Sequence, residues 1–344
     1  MLEIIGSKEK WNDVLKEVDM YDFYHTYDYH MNCANENEEA VLFCYREDAI
    51  VIALPLLIRP IKNTPYYDAT SVYGYAGPLS KNITADFNFT TFYTKLRLYF
   101  QKKNIVSVYS SLNPYIDNQK RILSGLGKIE KIGKIVNIRL DQSISKQEAS
   151  FSKTTKRYTT RNKKLFYSRI GTTNEDIAVF ISLYYHTMNR LEASEGYYFD
   201  EAYFHKIIES SAYTAQVIFA ITKDTHKIAS AVLLVKTNHT IIQYHLSGTL
   251  AEYKHLSPIR FLLNEIRILG TTAGYTYFNL GGGFGGKQDS LFDFKASFSN
   301  DYRKFKVWKF IVNPKIYNAL TRENTNITAV TKTKFFPLYR YKNS

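Results

Sequence analysis

Cysteine is almost missing from this 344-residue chain, which has only Cys33 and Cys44. That excludes a disulfide framework and a cysteine-based zinc cluster. The eight histidines are scattered, with no HxH or HExxH pair, so no metal site is expected. Long apolar runs are lacking too. The longest, Ala49–Ile58, is interrupted by Pro55 and falls well short of the ~20 residues a bilayer span needs. The first residues, MLEIIGSKEKW, show no basic segment followed by an apolar one, so a cytoplasmic protein without a secretion signal is expected. No serine-centred nucleophile elbow occurs. With 45% hydrophobic and 22% charged residues the composition is globular, which excludes a disordered, collagen-like or coiled-coil chain. The length suggests two domains.

What is present in excess is positive charge. The net charge is +13, from 45 basic and 32 acidic residues. Residues 151–170 hold seven cations (Lys153, Lys156, Arg157, Arg161, Lys163, Lys164, Arg169) and no acid, and residues 302–344 hold ten against Glu323 alone. The remainder, with 28 basic and 31 acidic residues, is near neutral. A field localised in this way attracts phosphates or other anions, and its plain alternative is a solvated helix face. In the basic tail, Phe335–Tyr341 (FFPLYRY) reads as a docked chain end.

The chain also repeats itself. Val41–Asp48 aligns with Val217–Asp224, and each is followed by an apolar run, Ala49–Ile58 and Ile228–Val235, giving two strand hairpins. Tyr73-Gly-Tyr-Ala-Gly-Pro-Leu79 aligns with Tyr244-His-Leu-Ser-Gly-Thr-Leu250. Helical patterns at Phe89–Lys102 and Pro258–Leu269 then lead into strands at Ile105–Ser111 and Tyr275–Gly281. Each half thus reads helix, strand, strand, strand, helix, strand. The expected fold class is α/β, layered in the α+β manner, with two tandem domains (1–145 and 146–344) built on mixed central sheets.

Several residues stand out for chemistry. His245 falls where the first repeat has Gly74, and an unperturbed imidazole suits a general base at neutral pH; a packed strand histidine is the alternative. Glu192 and Glu195 follow the first helix of the second half, where the two roles open to either are to relay a proton or merely to solvate a helix end. Tyr197 beside them offers a ring either for stacking on a sugar or base or for the core. The run Gly281-Gly-Gly-Phe-Gly-Gly286 has neither the Walker nor the dinucleotide spacing, and its backbone (Gly282, Gly283, Gly286) is expected to touch a ligand. Asp289 beyond it bonds a sugar hydroxyl or caps a helix. Arg157 and Arg161, four apart, share a helix face and are candidates for gripping a diphosphate.

Three stretches together resemble a known group: Tyr73–Leu79 (YGYAGPL), Thr154–Lys164 (TTKRYTTRNKK) and Asn279–Ser299 (NLGGGFGGKQDSLFDFKASFS). They are similar to the FemAB-like branch of the tandem GNAT (Gcn5-related N-acetyltransferase) superfamily, and within it to acetyltransferases of dTDP-linked 3-amino-3,6-dideoxyhexoses. The resemblance implies an N-acetyltransferase that moves acetyl from acetyl-CoA, as co-substrate and without a metal, to a nucleotide-linked amino sugar. It implies a non-catalytic N-terminal domain lending Tyr73 and Tyr75 to the acceptor cleft. It further implies that the strand Thr240–Gly248 holds the thioester near Leu246 and Gly248, and that Lys295 of the Phe-Lys-x-x-Phe motif faces the acceptor. Lys254, Ser257 and Arg260 would hold the pyrophosphate, although Leu250–Pro258 lacks the glycine loop usual in CoA-binding members. Two other expectations follow from the same likeness: an aminoacyl-tRNA-dependent ligase of peptidoglycan interpeptide bridges (FemX-like), with tRNA as partner, or a degenerate tandem module that only binds. DNA is not an expected partner.

Overall fold

The computed structural model describes residues 1–324 and 335–342. Its contacts divide the chain into unit 1, Met1–Ile132 with Phe305–Ser344, and unit 2, Gly133–Lys304.

Unit 1 opens with β1 (Leu2–Ile5), α1 (Lys8–Glu17) and α2 (Tyr27–Cys33), followed by the hairpin β2 (Glu39–Glu47) and β3 (Ile50–Pro60). The two hairpin strands are buried on both faces, as their unbroken apolar sequence requires. Two short strands follow, β4 (Tyr67–Thr70) and β5 (Leu79–Lys81), then α3 (Thr90–Lys102), β6 (Ile105–Leu112) and α4 (Gln119–Leu123). Helix α3 buries Phe92, Leu96 and Phe100, one stripe at helical spacing, on the sheet. β4 runs parallel to β6; the other pairings of these strands are antiparallel. Between β4 and β5 the chain leaves the sheet and wraps an aromatic cluster of Phe23, Tyr24, Tyr29 and Tyr75. Gly74, at φ +113°, lies so close to the Tyr24 ring that a Cβ would sit 2.0 Å from it.

Unit 2 begins within β7 (Lys128–Arg139). Two helices follow, α5 (Ile144–Ala149) and α6 (Lys153–Leu165), then β8 (Phe166–Ile170), α7 (Asn174–Arg190) and α8 (Glu201–Glu209). A three-strand run comes next: β9 (Thr214–Thr222), β10 (Ile228–Thr237) and β11 (Ile241–Thr249). After it come α9 (Pro258–Thr272), β12 (Tyr277–Gly281) and α10 (Ser290–Ala296). Strand order is β7-β12-β11-β10-β9-β8, with β11 and β12 parallel. Phe261, Leu262, Leu263 and Ile266 of α9 pack on Val232, Leu234, Phe278 and Leu280 of the sheet. A capping box of Thr173 and Asp176 starts α7. The α/β class and the repeat are as expected: β2-β3-β4-α3-β6 answers β9-β10-β11-α9-β12.

The chain then returns to unit 1. β13 (Asp301–Ile311) pairs with β6 from Lys306↔Leu112 to Ile311↔Ser107, and α11 (Pro314–Glu323) follows. The docked end is observed: Arg340 and Arg59 bind the two oxygens of buried Asp68, and Tyr339 bonds Ser107 at 2.7 Å. The single joint expected at 145/146 is replaced by two crossings, at 132/133 and 304/305, because β13 supplies unit 1 with a strand. Of the ten tail cations, Lys332 and Lys334 lie outside the described residues.

Candidate functional site

The feature around which the candidates gather is a fork in the sheet of unit 2. β11 and β12 pair only as far as Gln243↔Asn279, where the two side chains bond at 2.7 Å. β11 then continues to Thr249 without β12. At the same level its register on β10 jumps from Leu234↔Tyr244 to Leu233↔Leu246. His245 is the extra residue of this bulge, which re-aims its side chain. In unit 1 the aligned Gly74 lies in the loop that interrupts the equivalent strand.

The His245 ring meets Tyr203 of α8, with Nε2 2.7 Å from the phenol oxygen. Burial pushes the imidazole down to about 3, so it is neutral at physiological pH. The expectation of a histidine poised near neutrality is corrected here: desolvation disfavours the charged form, and a group titrating that low is a weak base. Leu246 is buried, and Gly248 sits under α7, where a Cβ would fall 2.5 Å from the Leu183 carbonyl.

Lys295 stands at the other arm of the fork. It is not the surface residue that a seven-residue helix would suggest, being 8% exposed. Its ammonium donates to Gly282 O at 2.7 Å and lies 5.7 Å from the centre of the Tyr244 ring. Burial pushes it down to about 8, with Asp289 opposing the shift. Asp289 caps α10 through Phe292 N at 2.9 Å and also accepts from Phe284 N at 2.8 Å. Those backbone donors hold its carboxyl below the usual range. Asp289 thus fills one of its two expected roles, that of a helix cap. The glycines have packing reasons as well. A Cβ on Gly283 would fall 2.2 Å from Asp289 Oδ1, a Cβ on Gly282 2.8 Å from Lys134 O, and Gly286 O lies against Gly133. The tip of this turn, Phe284, is exposed and meets Tyr197 at 5.8 Å between ring centres.

Glu192 and Glu195 lie exposed on the loop between α7 and α8, and no hydrogen bond or ion pair joins either to His245 or Lys295 among the described residues. At the start of α9, Pro258 occupies the first turn, but Ser257 is left-handed (φ +54°) and its side chain makes no cap. Lys254 is exposed in the preceding 3-10 turn. Arg260 turns inward, donating to Thr155 Oγ1 (2.5 Å) and Ser297 Oγ (2.7 Å) beneath Phe294. Of the three residues expected to grip a pyrophosphate, Lys254 is exposed and Arg260 is engaged by Thr155 of α6 and by Ser297 at the end of α10. Arg157 and Arg161 share the exposed face of α6, both beside the Tyr158 ring. Tyr73 and Tyr75 belong to unit 1: the Tyr73 carbonyl accepts from Tyr29, and the Tyr75 ring meets Tyr24 and Phe305 edge-on. The sequence reading missed Tyr203 and Phe284. Tyr203 carries no local signal, whereas Phe284, a lone large side chain inside a glycine run, could have been singled out.

Among the described residues no group of histidine, cysteine, aspartate or glutamate could hold a metal ion, and no helix is long and apolar enough to cross a membrane. No family model matches the sequence, and neither does any curated protein. Among solved structures the chain is similar to FemX, with TM-score 0.71 and 11% identity over 92% of this chain and 99% of that one. It is also similar to L-PGS from Bacillus licheniformis (TM-score 0.58, 14% identity, 90% and 93% covered). A third likeness is to a tandem GNAT protein from the clavulanic acid biosynthesis pathway (TM-score 0.51, 11% identity, 91% and 99% covered). At these identities the likeness establishes the fold: a tandem GNAT-like architecture.

Proposed function

We propose that the protein is an acyltransferase that forms an amide by direct attack of an amine on an activated carbonyl, and that its donor is an aminoacyl-tRNA, as in the interpeptide-bridge ligases of the FemAB-like group. The observation that carries this is the fork between β11 and β12, with His245 and Tyr203 on one arm and buried Lys295 on the other. The amine nitrogen bonds to the ester carbonyl carbon, the bond to the ribose oxygen breaks, and the amine proton passes to that oxygen. Negative charge grows on the carbonyl oxygen on the way. A cation in a water-poor site and strand N–H groups near Leu246 and Gly248 suit that charge. Tyr203, bonded to a neutral His245, is a hydroxyl fit to pass the proton, and the bulged edge of β11 orients the donor. Glu192 is the further candidate for taking the amine proton.

The engagement of Arg260 by Thr155 and Ser297, and the lack of glycine in Leu250–Pro258, support this donor over acetyl-CoA. The second reading, an N-acetyltransferase of a nucleotide-linked amino sugar, rests on the same fork and on the likeness to a tandem GNAT protein.

Calorimetry with CoA, then transfer assays with an aminoacylated RNA and a muropeptide amine, separate the two. The expected result is no heat with CoA and an amide of the added aminoacyl mass. Saturable CoA binding, with acetylation of a dTDP-linked amino sugar, would install the second reading instead.

A further inference from the structure

The fork accounts for none of the positive charge that distinguishes this sequence. Of the seven cations between 151 and 170, only Arg169 has an acidic partner among the described residues, Asp176 on α7. The other six, Lys153, Lys156, Arg157, Arg161, Lys163 and Lys164, are all exposed and all on α6. Their spacing opposes helix formation. Lys153/Arg157 and Arg157/Arg161 are like charges four apart, and Lys153 and Lys156 sit in the first turn, at the positive end of the helix dipole. The helix is held by its other face, where Thr155, Thr159 and Asn162 are buried, and by the Ser152 cap. Asn162 bonds the carbonyls of Leu256 and Ser257.

An anionic partner relieves this repulsion, and the make-up of the face selects its kind. Every exposed side chain on α6 is lysine, arginine or threonine. A helix that lies on a bilayer needs apolar side chains to bury there, and this face has none. The Tyr158 ring is half-buried, with Arg157 and Arg161 5.6 and 4.8 Å from its centre, so it is no open platform for base stacking. What remains is a row of cations on a rigid rod about 20 Å long, two of them guanidiniums able to fork onto phosphate oxygens.

We infer that the solvent face of α6 docks the phosphodiester backbone of a structured RNA, by charge and shape and without reading base sequence. The inference rests on the aminoacyl-tRNA reading of the donor and assigns that RNA a surface on unit 2.

The test uses the full chain and the fluorescence anisotropy of a labelled, unacylated RNA hairpin with a single-stranded 3′ end. One variant carries Lys156→Gln, Arg157→Gln, Arg161→Gln and Lys163→Gln. A control loses the same charge from exposed positions of unit 1 through Lys62→Gln, Lys95→Gln, Lys102→Gln and Lys103→Gln. The α6 variant should bind at least thirtyfold more weakly, and its slope of log K against log salt should be shallower by about 0.9 per cation lost from the contact. The control should stay within threefold of the parent. Equal binding by the two variants overturns the proposal. So does a parent that ignores the hairpin and sediments instead with phosphatidylglycerol vesicles. Amide formation is read separately: its absence alongside tight, α6-dependent RNA binding overturns the ligase reading and leaves the RNA surface standing.

Discussion

His245 and Tyr203 meet at 2.7 Å although one lies on a strand bulge and the other on a helix 42 residues earlier. Burial keeps the imidazole neutral down to about pH 3. Ring-nitrogen NMR should therefore show His245 uncharged from pH 8 to pH 5. A midpoint between 6 and 7 would show that the ring is solvated and restore it as a general base. Tyr203→Phe should lower turnover by roughly 100-fold or more, the scale of one positioned proton-transfer group.

Lys295 gives a prediction on stability at alkaline pH. Its folded-state value near 8 lies below the ordinary 10.5, so between those limits the unfolded chain binds more protons. Stability should rise with pH from about 8 to 10, and Lys295→Met should remove that rise while cutting amide formation by 100-fold or more. A stability profile that is flat in the parent, or identical in the variant, would place the ammonium in water.

His25 and His30, both fully buried in unit 1, are pushed down to about 4 and 3 by burial. Here the unfolded chain takes up protons first on acidification, so stability is lost as pH falls below about 6.5. From pH 6.5 to 5, where carboxylates barely titrate, the loss should be roughly 2 kcal/mol per histidine. Melting curves across that window check it, and an unchanged melting temperature would refute it.

Gly248→Ala should cost about 1–3 kcal/mol, because the new methyl must push the α7 backbone at Leu183 away from β11. Denaturant midpoints measure this. Gly196→Ala, where no atom lies within 4 Å of the added carbon, is the control and should leave the midpoint unchanged.

Much of this architecture was legible because it is written locally. The apolar runs 49–58 and 228–235 could only be buried strands, and Pro258 announced α9 at the residue where it starts. Long-range pairing had no such signature. Nothing in residues 306–311 says that they hydrogen-bond to residues 107–112, so the repeat alone places the tail with the second half. At the site, residue type and strand position single out His245, but its titration depends on how deeply the fold buries it. Lys295 was noticed through a motif, whereas its burial follows from how α10 folds back on the glycine turn. For Arg260 the sequence shows a cation just after a helix start, and not the Thr155 and Ser297 hydroxyls that engage it.

The return of β13 to the side of β6 also sets an order on biosynthesis. A ribosome delivers residues 133–304 before it delivers the strand at 305–311, so unit 2 has its whole sheet available while unit 1 still lacks one strand and the Asp68–Arg340 latch. The half that is made first is thus the half that closes last. Until then β6 offers a nascent chain an unpaired edge, which is where a chaperone, or a neighbouring copy in an aggregate, would take hold.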